Sequence, residues 1–207
     1  MSLRETPMKY GVTKQSQTSS NVAGTLGLLR RPPIRRASRN DSFHNTINML
    51  NITIITLGKL KETYWKEAEA EYIKRLTSDV SFKIVELKEE SFDEKSNKEV
   101  TKQKEAEKIK KALEKTKDSY IIALDSTGQE LSSTEISQEI NKIMIDGNNS
   151  ITFIIGGPLG LDGSIKKRAD LILSLSKLTF THQMVRTILL EQIYRSMMIL
   201  GNRKYHY

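Results

Sequence analysis

Two loops rich in small and polar residues are the stretches of this sequence best suited to bind a ligand. The first loop is Gly156–Gly160 (GGPLG), and it directly follows the apolar run Ile151–Ile155. The second loop is Ser176–His182, and it follows the apolar run Leu171–Leu175. If both runs are strands of an open α/β sheet, the loops lie beyond the carboxyl ends of the strands, where ligands bind. Glycine tolerates positive φ and lets a ligand approach the backbone, so the sequence predicts a ligand site there.

A glycine-rich loop after a strand first suggests a nucleotide phosphate site, but the details oppose the two common forms. The loop lacks the Gly-Lys-Ser/Thr that ends a Walker loop, and Pro158 lacks the N–H that a phosphate cradle would use. The sequence contains no G-x-G-x-x-G, and no acidic residue follows at a strand end about 20 positions later. The alternative interpretation is a tight turn that binds nothing.

Few residues are available for acid–base, nucleophilic or metal chemistry. The histidines are His44, His182 and His206, and cysteine is absent, which excludes disulfides, thiol nucleophiles and cysteine-bound zinc. No G-x-S-x-G motif accompanies them, and neither of the later two histidines has a carboxylate cluster nearby, so we expect neither hydrolase chemistry nor a metal site. Asp125 follows an apolar strand, where it either meets a ligand or caps a turn.

The net charge of +8 is unevenly distributed along the chain. Residues 1–48 carry a net charge of +6, residues 49–163 carry −4, and residues 164–207 carry +6. This asymmetry favours a polyanionic partner, nucleic acid above all, although a solvated basic face would look the same. The apolar runs are shorter than the roughly 18 residues of a membrane span, so we expect a soluble protein.

Residues 1–48 show no sustained hydrophobic period, and Arg30–Arg36 is their densest basic patch. They are predicted to be disordered. We interpret them as a leader, a tag or the product of a mis-assigned start upstream of Met49, with an organellar transit peptide or an RNA-binding arm as alternatives.

From Met49 onward, apolar runs typical of buried strands alternate with segments of helical periodicity. The predicted strands are Ile52–Leu57, Val80–Leu87, Tyr120–Leu124, Ile151–Ile155 and Leu171–Leu175. The predicted helices are Glu62–Leu76, Lys95–Lys117, one that opens at a Ser132/Glu135 capping box, a short basic one after Gly160, and Gln183–Leu200. This order predicts an α/β fold, with a mostly parallel sheet and helices on both faces, in a single domain over 49–207.

Two of these helices have predictable faces. The second helix is highly charged, and its sparse apolar residues predict an exposed helix with a narrow packing face: Val100, Ala106, Ile109 and Leu113. The last helix places a set of apolar residues in the core or in a dimer interface: Val185, Ile188, Leu189, Ile193 and Met197.

The polar residues of the last helix and the tail also suggest contacts with nucleic acid. Arg186 lies near the opening of the helix, where it could contact a phosphate, and Arg195 is predicted to form a surface ion pair with Glu191. The tail Arg203–Tyr207 mixes basic and aromatic groups, as single-stranded RNA recognition requires. A frayed terminus would have the same composition.

Taken together, several stretches resemble one known family in the same order. They are Asn51–Lys61 (NITIITLGKLK), Ile154–Gly160 (IIGGPLG), Leu173–Phe180 (LSLSKLTF), His182 with Arg186, Glu191–Arg195 (EQIYR) and Tyr205-His206. The family is the ribosomal RNA large subunit pseudouridine-N3 methyltransferases, RlmH or YbeA, of the SPOUT superfamily. The resemblance covers 49–207, and the ordered set is specific although each piece alone is not.

The resemblance implies a homodimeric α/β enzyme with a C-terminal trefoil knot that binds S-adenosylmethionine. By motif match, the cofactor would contact Leu124, Gly156 and the run Leu175, Ser176, Lys177, Leu178, Thr179 and Phe180. The implied substrate is a pseudouridine of ribosomal RNA, on the large subunit or the whole ribosome in the cytoplasm, with neither a metal nor a membrane involved. Binding or catalytic roles would fall to Tyr205, His206 and Arg186.

The sequence departs from the family pattern at three positions. Thr181 and Lys204 stand where proline is usual, and Tyr207 ends the chain where a basic residue often follows. Deprotonation of the N3 imide would need a base such as His182 or His206, or stabilisation of the anion by Arg186 or a backbone N–H. The alternative function is a non-catalytic RNA-binding factor of ribosome assembly.

Overall fold

The structure, a computed structural model, describes residues 49–91, 97–116 and 118–205. The predicted leader, residues 1–48, and both His206 and Tyr207 lie outside these ranges. The elements are β1 (Leu50–Leu57), α1 (Thr63–Leu76), β2 (Val80–Leu87), α2 (Lys98–Leu113), β3 (Tyr120–Glu130), α3 (Ser133–Ile145), β4 (Ser150–Ile155), α4 (Gly163–Lys166), β5 (Leu171–Ser174) and α5 (His182–Leu200).

The five strands form one sheet in the order β2-β1-β4-β3-β5, and every pair is parallel. Strands β1 and β4 are buried almost throughout, as expected for central parallel strands covered on both faces. One apolar cluster joins the sheet to α1, α3 and α5, and a second joins it to α2 and α4. The predicted fold class is therefore confirmed.

Strand β3 is longer than the sequence indicates. The segment predicted as a loop after Asp125 continues as strand to Glu130, with a register shift between Leu124 and Gln129 where β3 pairs with β5. Asp125 Oδ1 accepts hydrogen bonds from the backbone N–H and the hydroxyl of Thr127, at 3.0 and 2.6 Å, and so closes the irregular segment. Local composition predicts a turn here, but pairing with β5 keeps the chain extended.

The packing face of α2 differs from the predicted one. Val100 is 43 % exposed, whereas Thr101 and Glu105 are buried beside the apolar residues Ile109 and Leu113. The prediction for Val100 was wrong because Val100 lies in the first turn of the helix, where Lys98, Glu99 and Val100 face solvent. The side chain of Asn97 caps this end of the helix and accepts hydrogen bonds from the N–H groups of Glu99 and Val100.

Helix α5 begins one residue earlier than predicted, because Thr181 caps it. Thr181 Oγ1 accepts a hydrogen bond of 3.3 Å from the N–H of Met184. Leu189, Ile193 and Met197 are buried against the sheet, so this face belongs to the core of the chain itself. None of the helices in the described ranges has the length and apolarity to cross a membrane.

Candidate active site

A cleft of about 700 Å³ opens at the carboxyl ends of β3, β4 and β5. Its walls are the residues after the regular part of β3, the glycine loop after β4, and the segment that joins β5 to the first turn of α5. Parallel strands bring their carboxyl ends to one edge of a sheet, and this is where open α/β folds place ligands. The two loops that the sequence analysis singled out therefore face a common cavity.

Of the eight residues that the resemblance assigned to the cofactor, seven line this cleft: Leu124, Gly156, Leu175, Ser176, Leu178, Thr179 and Phe180. The eighth, Lys177, belongs to the same loop but is not among the lining residues. Strand β3 and two separate loops supply the seven. Their meeting in one cavity is a property of the tertiary structure, since Leu124 and Phe180 are 56 positions apart in the sequence.

The glycine loop is a tight turn with one residue in the left-handed region. Only Gly160, with φ of 76°, requires glycine for its backbone conformation; Gly156 and Gly157 do not have positive φ. Gly156 is instead needed for space, because a Cβ atom there would lie 3.1 Å from Leu161 Cγ. The expectation that positive φ explains the whole cluster was therefore wrong for two of the three glycines.

The loop after β5 is held by its own serine hydroxyls. Ser174 Oγ donates to the carbonyl of Ser176 at 3.1 Å, and Ser176 Oγ accepts from the N–H of Leu178 at 3.0 Å. Leu178 remains 70 % exposed at the rim of the cleft. An ordered polar loop that carries an exposed apolar side chain offers both hydrogen bonds and an apolar surface to a ligand.

The sequence predicts Asp125 either to contact a ligand or to cap a turn. In the structure Asp125 lies at the edge of the cleft and forms an ion pair. Lys166 Nζ of α4 lies 2.6 Å from Asp125 Oδ2. Burial raises the pKa of Asp125, but the hydrogen bonds from Lys166 and Thr127 outweigh it and lower the pKa overall. The carboxylate is therefore anionic at neutral pH and is a poor proton acceptor. Sequence reasoning missed Lys166, because nothing local links it to Asp125.

A second acidic residue, also missed from sequence, lies behind the glycine loop. Glu105 of α2 is 4 % exposed and accepts a 3.1 Å hydrogen bond from the N–H of Glu90. Burial is the main cause of its raised pKa. A Cβ atom at Gly157 would lie 3.5 Å from the Glu105 carboxylate, so the loop packs against this side chain. Within the described ranges no group of three or more histidine, cysteine or acidic side chains could hold a metal ion.

The structure places Arg186 inside the protein. Its guanidinium donates to Glu69 of α1, with Nη2 2.9 Å from Oε1, and to Glu86 of β2, with Nη1 2.8 Å from Oε1. Arg186 is 3 % exposed because it shares a helix face with the buried Leu189 and Leu190. This placement opposes the expected contact with a phosphate or an imide, since the donor groups are already used by two carboxylates.

The described part of the tail, residues 203–205, folds back onto the second half of α5. Tyr205 Oη donates to Glu191 Oε1 at 3.4 Å, and the Tyr205 ring packs on Arg195, whose Cζ lies 5.0 Å from the ring centre. The predicted pair between Arg195 and Glu191 is present, with Nε 3.1 Å from Oε1, but it is half-buried under the tyrosine. Tyr194 packs edge-on against Tyr205, with ring centres 4.8 Å apart.

This tail cluster is separate from the cleft of the same chain. Glu191 follows His182, the first residue of α5, by nine positions, which corresponds to about 14 Å along a helix that rises 1.5 Å per residue. Tyr205 is thus held at the far half of the helix from the cleft. Tyr205 and the cleft-lining residues therefore do not meet within one chain.

A family model described as "Predicted SPOUT methyltransferase" matches residues 50–206. The chain belongs to the SPOUT methyltransferase family. This SPOUT methyltransferase is 47 % identical over 161 residues to the ribosomal RNA large subunit methyltransferase H of Finegoldia magna. It is 44 % identical over 160 residues to the protein of the same name from Ruminiclostridium cellulolyticum. Each match covers 76 % of this chain and 99 % of the relative. The resemblance inferred from the sequence motifs is confirmed.

Proposed function

We propose that this SPOUT methyltransferase transfers a methyl group from S-adenosylmethionine to N3 of a pseudouridine in large-subunit ribosomal RNA. The observation that carries the proposal is the cleft, where seven residues from strand β3 and two separate loops line one cavity of about 700 Å³. A volume of this size suits a ligand of a few hundred daltons. The names of the relatives support ribosomal RNA as the substrate class.

The chemistry of the cleft fits such a methyl donor. Leu124, Leu175 and Leu178 supply an apolar surface for an adenine ring, and the backbone of Ser176–Phe180 can hydrogen-bond its polar edge. Gly156 leaves the backbone accessible where a side chain would crowd Leu161. When bound, the donor supplies an electrophilic methyl group. The protein's own task is to hold the RNA base in line with that methyl group, because orientation lowers the barrier by about 7–11 kcal/mol.

We also propose a homodimer in which the tail of a second copy completes the cleft. Tyr205 packs about 14 Å along α5 from His182, so within one chain Tyr205 is held away from the cleft. His206 follows directly and remains a predicted contact to RNA. The trefoil knot implied by the resemblance remains a prediction; it would be formed by the segments that follow β4 and β5.

Charge supports RNA as the partner and the ribosome as its setting. The C-terminal segment 164–207 carries a net charge of +6, and it includes the loop and the helix that border the cleft. Lys166, Arg186, Arg195 and Arg203 of this segment pair with carboxylates. Contacts with phosphates would therefore fall to its other basic residues, such as Lys167, Arg168 and Lys177, and would make binding salt-dependent. We place the reaction on the large subunit or the whole ribosome, in the cytoplasm, without a metal or a membrane.

Two measurements test this function. Calorimetry of the full chain with S-adenosylmethionine should give saturable binding. A methyl-transfer assay on ribosomes, with the product nucleoside located by mass spectrometry, should give 3-methylpseudouridine in large-subunit RNA. Donor binding without transfer to any ribosomal RNA would refute the proposed substrate. Failure to bind the donor at all, with RNA binding intact, would favour the alternative of a non-catalytic assembly factor.

A further inference from the structure

A glutamate and a histidine face each other beside the cleft without completing a hydrogen bond. His182 Nε2 lies 3.7 Å from Glu89 Oε1, beyond hydrogen-bond range. Among the residues that the structure describes, neither of these two buried atoms has a hydrogen-bond partner. A buried polar atom left without a partner destabilises a folded protein. Such an arrangement in a native fold calls for an explanation, and a functional role is one.

The backbone at Gly58 leaves room for this pair. Gly58 follows β1 and has φ of 83°, a conformation that favours glycine. A Cβ atom there would lie 2.9 Å from Glu89 Cδ and 3.1 Å from His182 Nε2. A side chain at Gly58 would therefore force the carboxyl group away from the imidazole. Three elements, namely the ends of β1 and β2 and the start of α5, meet at this point.

The pair lies among other charged groups. Position 182 is the first residue of α5, at the positive end of the helix dipole. Glu89 faces the ring, and repulsion from Glu89 contributes, after burial, to the raised pKa of Glu105. Glu90 is engaged with Lys108. One turn along α5, Arg186 is neutralised by its two glutamates.

The other ionisable group in the cleft wall is unsuited to accept a proton. Among the cleft-lining residues, Asp125 and His182 carry ionisable side chains. Asp125 is held anionic by Lys166, and its lowered pKa makes it a weak base. His182 is the one histidine within the described ranges, and histidine is the side chain that most often accepts a proton in catalysis.

We propose that Glu89 and His182 form a carboxylate–imidazole pair that takes up the proton released during methyl transfer in the cleft; the inference rests on the proposed function. Because Nε2 faces Glu89, Nδ1 is the nitrogen left to accept. The N3–H bond of the RNA nucleobase breaks, and its proton moves to Nδ1 of His182. The N3 electron pair forms the new bond to the methyl carbon as the bond from that carbon to sulfur breaks, with its electrons left on sulfur. The imidazolium is then held by Glu89 until its proton leaves to solvent.

The test compares four full-length proteins: wild type, His182→Gln, Glu89→Gln and Glu90→Gln. Glu90→Gln is the matched control, because it removes the neighbouring carboxylate, which pairs with Lys108. Single-turnover methyl transfer to unmethylated ribosomes is measured from about pH 5 to pH 8, across the titration of imidazole. Calorimetry with S-adenosylmethionine verifies that each variant still binds the donor.

We expect His182→Gln to lower the single-turnover rate about 100-fold or more at neutral pH and to abolish the fall in rate on the acid side. Glu89→Gln should lower the rate less and shift that fall to lower pH, because the imidazolium loses its counter-ion. The ribosome concentration that gives half of the maximal single-turnover rate should change little in either variant. Glu90→Gln should match wild type in rate and pH profile.

A His182→Gln protein that binds the donor and keeps the wild-type rate and pH profile would overturn the proposal. If His182→Gln does not fold, Glu89→Gln provides the test. The proposal would be overturned if the rate of Glu89→Gln fell on the acid side at the same pH as the rate of wild type. Failure of the function itself looks different: wild type would then transfer no methyl group at any pH.

Discussion

Replacing Arg186 distinguishes a structural role for this arginine from contact with substrate. In the structure the guanidinium joins Glu69 of α1 and Glu86 of β2 to α5, and its side chain is 4 % exposed. Removing one partner of a buried ion pair costs about 3–5 kcal/mol, because the remaining charge is left without compensation. We expect Arg186→Met to lower the free energy of unfolding by about this amount at pH 7.

The pH dependence of this loss follows from Glu69. Burial raises its pKa, and Arg186 only partly offsets that effect. A carboxylic acid with a raised pKa in the folded state favours folding at low pH and loses that contribution as pH rises. Without Arg186, the pKa of Glu69 rises further, so the destabilisation should be smaller at pH 5, where Glu69 can take up a proton, than at pH 7.

The assay is urea and thermal denaturation of wild type, Arg186→Met and Arg75→Met at both pH values. Arg75→Met is the matched control, because Arg75 and Glu71 form an exposed i,i+4 pair with side chains 44 % and 52 % exposed. Such a pair contributes about 0.2–1 kcal/mol. For a chain of this size, 1 kcal/mol shifts Tm by roughly 2–4 °C, so we expect about 6–20 °C for Arg186→Met.

The reasoning is refuted if the free energy of unfolding of Arg186→Met lies within about 1 kcal/mol of the wild-type value, as the value for the control should. Loss of methyl transfer at unchanged stability would go further. It would reinstate the role that the sequence suggested, in which Arg186 contacts the substrate.

Three further predictions concern residues around the cleft. Glu105→Gln should become more stable relative to wild type as pH rises from 4 to 7, because burial raises the pKa of Glu105 and the wild-type protein loses stability when this side chain ionises. A difference in urea midpoint between the two proteins that does not change with pH would contradict this. Asp125→Asn should lower the free energy of unfolding by about 1–3 kcal/mol at pH 7, because it weakens the contact with Lys166. This loss should vanish in acid, because the pKa of Asp125 is lowered in the folded state and the stabilisation is lost as Asp125 becomes protonated; denaturation midpoints from pH 2 to 7 test it. Gly128→Ala should cost about 2 kcal/mol or more, because its Cβ would lie 2.5 Å from the carbonyl oxygen of Ile172; wild-type thermal stability would disprove the close approach.

The sequence by itself determined the order and type of the secondary structure. Each predicted strand is present, and the capping box of Ser132 and Glu135 opens α3 as expected, because both signals depend on neighbours in sequence. The position of the cleft was also predictable. A parallel sheet sends its strand ends to one edge, so loops after adjacent strands face the same space.

Tertiary structure alone decided which side chains meet. Arg186 and its two glutamate partners are about 100 positions apart in sequence, and so are Glu89 and His182. No sequence periodicity encodes these contacts. Pairing with β5 extended β3 through residues that read locally as a turn. The role predicted for Tyr205 remains a prediction, and only the length of α5 shows that Tyr205 is held away from the cleft. Local pattern reports burial and backbone conformation, whereas charge pairing across elements is set by the fold as a whole.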